Sequence, residues 1–237
     1  MTVLRERLSL VAEMICAGRM VADIGSDHAQ LALYLTEQGV APRVIATELG
    51  EGPFSRACRL VQESPCRERI ELRRGNGLQV LLPGEVDEVV MAGMGGDTII
   101  DILGYDWNKA ASFQRFLFQP MSRARTVRAN LAEQGWPIED ERLVREKNRI
   151  YVVIAARPGH SPYSLSPLEL EVGPLILGAD GELKREYISA ILHQMRTAHQ
   201  QMMHSARDDI MRAAVVNLEI IARLEEILDA SHREGYS

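Results

Sequence analysis

Polar and flexible residues are concentrated in one short run near the start of the chain, Asp23-Ile24-Gly25-Ser26-Asp27-His28. Gly25 lets the backbone approach a bound nucleoside closely, and an acidic side chain in the next turn can accept hydrogen bonds from a methionine amino group. A dinucleotide site would have three glycines spaced G-x-G-x-x-G, whereas this run has one, so a nicotinamide cofactor is disfavoured. The alternative is a strand that ends in a glycine turn, with Asp27 as the cap of the next helix.

Two further polar positions follow later strands. Glu48 comes about two dozen residues after Gly25, at the spacing where a carboxylate can hold both ribose hydroxyls. Asn76 follows the third strand, where its amide can donate to an adenine ring nitrogen and accept from the adenine amino group. An exposed strand end at Glu48 and a tight Asn-Gly turn are the structural alternatives. The predicted cofactor-binding residues are Asp23, Gly25, Ser26, Asp27, His28, Glu48, Leu49, Gly75, Asn76, Gly77, Gly93 and Met94.

Strand-like and helix-like segments alternate up to about residue 157, the pattern of a parallel sheet covered by helices. The last two strands are joined by a link too short for a parallel crossover, so they should form an antiparallel hairpin. A dehydrogenase domain would normally end with another parallel crossover, so this layout predicts an α/β, Rossmann-like class I methyltransferase domain that uses S-adenosylmethionine (SAM). The predicted strands are 20–24, 43–48, 69–73, 88–92, 116–118, 138–144 and 150–155, and the predicted helices are 29–38, 53–63, 97–103 and 122–134.

The segment Ala92-Gly93-Met94-Gly95-Gly96, called the glycine-rich loop below, follows the fourth strand, where a methyl acceptor must enter. Its glycines leave room for a planar base or for close backbone approach. The Asp/Asn-Pro-Pro-aromatic motif of many enzymes that methylate exocyclic amines is absent from it. Pyrimidine C5 chemistry would need a nucleophilic cysteine here, but the Pro65-Cys66 pair precedes the third strand.

A Pro-, Gly- and Ser-rich linker at 158–167 predicts a domain boundary, with a catalytic domain at 1–158 and a helical domain at 159–237. Two amphipathic helices with a turn near 205–208 would make a coiled-coil-like C-terminal helical hairpin. The apolar stripe predicted for the second of them consists of Ile210, Ala214, Leu218, Ile221, Leu224 and Leu228.

Composition narrows the function classes. The 237 residues suffice for one α/β domain with a smaller appendage, and no apolar stretch is long enough to span a bilayer. Three scattered cysteines suit a reducing compartment, so we expect a cytoplasmic protein. His193, His199 and His204 are irregularly spaced for one helix face, and no metal is expected. The net charge of −6 argues only weakly against a nucleic-acid partner, because local charge governs phosphate binding.

The run 22–29, the glycine-rich loop and Gln119-Pro120 closely resemble the bacterial tRNA (adenine-N1)-methyltransferases that modify position 22, the TrmK family. The resemblance covers nearly the whole chain. It implies a SAM-binding Rossmann-like domain, a coiled-coil-like domain proposed to help hold tRNA, and a position for Asp27 near the reacting centre. The sequence departs from the family pattern at Asn76, where Asp is common, and at Leu31-Ala32, where Leu-Pro is common.

The resemblance implies direct methyl transfer to adenine N1, with Asp27 as the candidate catalytic residue. Phosphate contacts would come from basic residues near the fifth strand and the hairpin. These are Arg115, Arg123, Arg125, Arg128, Arg142, Arg145, Lys147 and Arg149. Trp107 or Phe113 could stack a base, although burial in the core is favoured for each. A small-molecule methyltransferase, another RNA acceptor, a non-catalytic binding module on the helical hairpin and a homo-oligomer remain open.

Overall fold

The computed structural model describes residues 2–204 and 207–234, with side chains for 2–204 and 207–230. The chain forms two compact units, Met1–Ser164 and Leu165–Ser237. The first unit is an α/β sandwich and the second is entirely helical in its described part.

The first unit extends a few residues beyond the predicted boundary after residue 158, because part of the linker packs on it. The backbone N–H of Tyr163 donates to the Ala132 carbonyl at 3.1 Å. The Tyr163 hydroxyl donates to the Trp136 carbonyl at 2.9 Å. These two bonds hold the linker on α6 (Ala124–Glu133) and on the loop that follows it.

Seven strands form one sheet in the order β3-β2-β1-β4-β5-β7-β6. The first five are parallel, and β7 runs antiparallel to both β5 and β6, which confirms the expected terminal hairpin. Because the order reverses beside β1, the carboxyl ends of β1 and β4 flank a topological switch point, where open α/β sheets bind ligands. The strands are β1 (Val21–Ile24), β2 (Val44–Glu48), β3 (Ile70–Arg74), β4 (Glu88–Met94), β5 (Arg115–Pro120), β6 (Ile138–Glu146) and β7 (Arg149–Ala156).

Helices cover both faces of the sheet. Neighbouring residues of a strand point to opposite faces, so Val90 joins one apolar core while Val89 and Met91 join the other. Both faces of the central strands are therefore buried, as in other parallel sheets. The helices of this unit are α1 (Glu6–Met14), α2 (Gln30–Glu37), α3 (Glu51–Glu63), α4 (Gly96–Gly104), α5 (Trp107–Ala110) and α6 (Ala124–Glu133).

The second unit consists of α7 (Pro167–Val172), α8 (Pro174–Leu177), α9 (Glu182–Met202) and α10 (Asp208–Glu234). The predicted turn at 205–208 falls partly on residues 205 and 206, which lie outside the described residues. α10 packs against α9 through a stripe of buried residues. Leu218 is not part of this stripe, since it is 54% exposed. The prediction for Leu218 was wrong because the stripe shifts by one residue to Asn217, which is buried and lies 3.6 Å from the Met195 sulfur.

Candidate active site

The turn after β1 is tied to the neighbouring strand. The backbone N–H groups of Gly25 and Ser26 both donate to the Thr47 carbonyl, at 3.0 and 2.9 Å. Gly25 has φ +71°, and a Cβ there would lie 3.0 Å from the Met94 methyl. The positive φ favours glycine at this position, and a side chain there would also displace the Met94 methyl.

The turn continues through Asp27, His28 and Ala29 in a strained conformation. His28 and Ala29 have φ values of 59° and 54°, which non-glycine residues seldom adopt. Backbone strain of this kind clusters at functional sites. Asp27 Oδ1 lies 3.3 Å from His28 Nε2, and the Asp27 side chain is 74% exposed. An exposed carboxylate thus stands at the edge of the switch point.

A cleft of about 290 Å³ opens beside this turn, at the carboxyl ends of β1, β2 and β3. Seven predicted cofactor residues line it: Gly25, Glu48, Leu49, Gly75, Asn76, Gly77 and Met94. The other five lie outside its lining, and their roles stay predictions; they are Asp23, Ser26, Asp27, His28 and Gly93. The volume is at the lower end of the range of small-molecule sites.

Glu48 is oriented at the end of β2. Its Oε1 accepts a hydrogen bond from the Gly50 backbone N–H at 2.8 Å, and the carboxylate makes no other hydrogen bond to the described residues. One carboxylate oxygen therefore keeps its capacity for a ligand inside the cleft. A carboxylate acceptor in this position fits vicinal hydroxyl donors such as those of a ribose.

The turn Gly75-Asn76-Gly77 forms another wall. The Gly75 backbone N–H donates to the Glu48 carbonyl at 3.0 Å, which joins the two binding elements. Gly77 has φ +54°, and a Cβ there would lie 2.7 Å from Ile102. The turn is consequently packed against α4, with the amide of Asn76 exposed towards the cleft. These features form a cradle that fits a nucleoside cofactor.

The lining also contains Ile24, from the polar run at the end of β1, and five residues that the sequence analysis did not single out. Four of them share one face of α4 or its end, since their spacing of three, four and seven residues repeats with the helix turn. This periodicity directly after the glycine-rich loop was the available signal. Tyr105 is 71% exposed and supplies an aromatic ring at this wall. The five are Gln79, Thr98, Asp101, Ile102 and Tyr105.

The glycine-rich loop connects β4 to α4 and is packed against the turn after β5. The Gly96 backbone N–H donates to the Ser122 carbonyl at 2.9 Å. A Cβ on Gly96 would lie 2.3 Å from the Arg123 carbonyl oxygen, so only glycine fits. Arg123 itself has φ 55° and pairs with Asp97, while its side chain is 69% exposed. The loop is thereby held with a cation at its edge.

Asp23 lies beneath the site at 5% exposure. Burial raises the pKa of this carboxyl to about 6, and the negative charge of Glu48 adds to the rise. A cationic ligand near the end of β1 would stabilise the charged form of the Asp23 carboxyl.

Two of the basic residues predicted to contact RNA are structural instead. Arg128 is fully buried, and its Nε donates to Glu141 Oε1 at 2.7 Å. Arg115 donates to the Met14 carbonyl at 2.8 Å and pairs with Glu88 at 3.3 Å. The predicted phosphate contacts of these two residues were wrong. Sequence periodicity does not distinguish an arginine that is exposed at the edge of a binding site from one that neutralises a buried carboxylate.

The aromatic candidates for base stacking are packing residues. Phe113 is 2% exposed, and Trp107 packs edge-on against Trp136 with ring centroids 5.2 Å apart. Within the described part of the chain, no group of three or more His, Cys, Asp and Glu side chains could hold a metal ion. No helix in that part is long and apolar enough to cross a membrane.

The sheet order and the cleft together define a methyltransferase domain, and a family model described as "Methyltransferase domain" matches residues 4–154. The tRNA (adenine(22)-N(1))-methyltransferase of Bacillus subtilis (strain 168) is 34% identical over 211 residues, or 89% of this chain and 87% of that protein. The chain therefore belongs to the tRNA (adenine(22)-N1)-methyltransferase family.

Solved structures agree with this assignment. The crystal structure of the B. subtilis m1A22 tRNA methyltransferase TrmK matches with a TM-score of 0.85 and 30% identity, over 96% of this chain and all of that one. Streptococcus pneumoniae Sp1610 in complex with S-adenosyl-L-methionine matches with a TM-score of 0.81 and 27% identity, over 94% of this chain and 98% of that one. Both similarities span the helical second unit as well as the catalytic one.

Proposed function

We propose that this protein transfers a methyl group from SAM to N1 of the adenine at position 22 of tRNA. The observation that carries the proposal is the cleft at the carboxyl ends of β1, β2 and β3, which ends at the glycine-rich loop. The family of the chain supports the choice of acceptor. With tRNA as the substrate, the protein acts in the cytoplasm.

SAM is the cofactor, and it supplies an electrophilic methyl group on a sulfonium. Glu48 accepts hydrogen bonds from the ribose hydroxyls, and Asn76 contacts the adenine. Leu49 and Tyr105 are exposed apolar side chains of the same cleft, and they provide surfaces for the adenine ring. Gly25 would allow the close backbone approach that the bound cofactor needs, since it has no side chain to fill the space next to Met94.

The target nitrogen needs no general base, because the N1 lone pair of neutral adenine is already free. N1 lies on the Watson–Crick edge, so the base must be unpaired or extruded before it enters beside the glycine-rich loop. Catalysis then consists of positioning and of stabilising the positive charge that moves onto the base. Asp27 is the candidate for that charge, since its carboxylate is exposed at the switch point.

An Asp27→Asn variant tests this role. Turnover should fall by more than SAM affinity, because the neutral amide no longer stabilises the developing charge. SAM binding is measured by calorimetry and turnover under single-turnover conditions with saturating tRNA. Equal losses in both quantities would make Asp27 a cofactor ligand and not a catalytic residue.

Arg123 is the proposed contact for a phosphate next to the target base, because it is exposed at the edge of the glycine-rich loop. An Arg123→Ala variant should bind tRNA more weakly and reduce the slope of log K against log salt by about 1. Arg67→Ala is a matched control, since Arg67 is similarly exposed and pairs only locally, with Glu68. An unchanged slope in the Arg123 variant would remove this residue from the interface.

The reaction itself is tested by incubating the protein with labelled SAM and unmodified bulk tRNA, followed by nucleoside analysis. The expected product is labelled 1-methyladenosine, and no label should enter tRNA that is already methylated at position 22. Tight SAM binding without label in any RNA would instead point to a small-molecule or protein acceptor.

A further inference from the structure

The N-terminal helix α1 reaches the glycine-rich loop through one side chain. Arg7, in the first turn of α1, is clamped by Glu146 at the end of β6: its Nε donates to Oε1 at 3.0 Å and its backbone N–H donates to Oε2 at 3.2 Å. Burial alone would raise the pKa of Glu146, but the bonds from Arg7 outweigh it and leave the pKa lowered. The guanidinium also lies 5.2 Å from the centroid of the Tyr151 ring.

The other end of the guanidinium holds Gln119. Arg7 Nη1 donates to Gln119 Oε1 at 2.7 Å, and the same oxygen accepts the Gly93 backbone N–H at 3.2 Å. Gln119 Nε2 donates to the Pro120 carbonyl at 3.1 Å. Gln119 is fully buried, so these bonds fix which way its amide points.

Gly93 depends on this amide because the ladder between β4 and β5 is interrupted there. Ala92 pairs with Gln119 and Met94 pairs with Pro120, which leaves Gly93 as an extra residue in β4. With φ +81°, its N–H leaves the strand ladder and donates to the Gln119 side chain instead. The conformation of the bulge then sets where Met94 enters the cleft.

We propose that Arg7 is a positioning residue that holds the glycine-rich loop in its reactive conformation by orienting Gln119. The expected effect of Arg7 on kcat rests on the proposed methyl transfer. Its expected effect on the conformation of the loop rests on the structure alone. Arg7 itself lies outside the lining of the cofactor cleft and reaches it only through Gly93 and Met94, so it should affect the acceptor side of the reaction more than SAM binding.

An Arg7→Met variant keeps the apolar stem and removes the bridge. Its kcat should fall by about 10- to 100-fold, since small displacements of reacting groups cost this much, while SAM affinity should fall by a smaller factor. Arg7→Lys should restore only part of kcat, because a single ammonium cannot serve both Glu146 and Gln119 with the geometry of a guanidinium. Full recovery with Lys would show that charge alone matters and would overturn the proposal.

The chain contains a matched control at the opposite edge of the sheet. Arg19 Nη1 donates to Gln114 Oε1 at 3.0 Å and lies 3.6 Å from Asp87, so it also links a glutamine to a carboxylate. This group lies at the amino ends of β4 and β5, away from the glycine-rich loop. An Arg19→Met variant should retain wild-type kcat, and an equal loss in both variants would indicate general destabilisation.

A double variant shows whether Arg7 acts through Gln119. Gln119→Met should lower kcat as much as Arg7→Met, and combining them should add little, whereas losses that multiply would overturn the proposal. Amide hydrogen exchange of Gly93 reports on the bulge without any activity. The exchange should be faster in Arg7→Met and unchanged in Arg19→Met. If the protein proved inactive on tRNA, the proposed function would be refuted, but the exchange rate would still decide the role of Arg7.

Discussion

Asp23 should make the protein less stable at neutral pH than at acidic pH, and an Asp23→Asn variant should remove this cost. The carboxyl titrates near 3.8 in the unfolded chain and near 6 in the folded one, because burial disfavours its charged form. Between these pH values the native state binds one proton more than the unfolded state. The free energy of unfolding therefore falls as the pH rises, and it levels off above about pH 6.

The difference between the two pKa values corresponds to about 3 kcal/mol at full ionisation. Urea unfolding of both proteins at pH 4, 5, 6, 7 and 8 measures it. The variant's advantage over the wild type should grow from pH 4 to 6 and then stay constant. Comparing slopes across pH cancels any constant loss of packing or hydrogen bonding at the substituted position.

Asp27→Asn is the matched control, because that carboxylate is 74% exposed and its neutralisation relieves no burial cost. SAM binding supplies the functional half of the test: the stabilised Asp23→Asn variant should bind the cationic cofactor more weakly at pH 8. If the difference in unfolding free energy between Asp23→Asn and the wild type were the same from pH 4 to 8, the reasoning would be refuted. Ionisation of Asp23 would then carry no desolvation penalty.

Two further substitutions test packing around the site. Gly96→Ala should destabilise the protein by about 1–3 kcal/mol and lower its activity, because the added Cβ would overlap the Arg123 carbonyl. Gly104→Ala, in the same helix, is the control: its Cβ would meet the nearest atom at 3.9 Å, so this change should be neutral or stabilising. Thermal unfolding of both variants distinguishes the two outcomes. Arg128→Met should cost about 3–5 kcal/mol by removing one partner of the buried Arg128–Glu141 ion pair, and adding Glu141→Gln should recover much of that loss in the same assay.

The parallel sheet covered by helices and the terminal hairpin were predictable from the alternation of strand-like and helix-like segments and from the length of the last link. Positions just after strand ends were also predictable, and Glu48 and Asn76 both line the cleft. Helix α1 was missed, since its buried face is only Val11, Ala12 and Met14. The fate of each arginine was not predictable, because a cation that pairs with a carboxylate distant in sequence has the same local pattern as an exposed one.

Contacts within the sheet also bear on how the enzyme is made. β1, β2 and β3 come from the first 74 residues and provide much of the cofactor cleft, so this half is available early during synthesis. The clamp on Arg7 instead needs Glu146, which follows it by more than half the length of the chain. The segments that carry Glu48 and Asn76 therefore precede the residue that anchors Arg7 by more than 60 positions in the chain. The anchor of the glycine-rich loop thus depends on the terminal hairpin, which is the last part of the sheet to be synthesised.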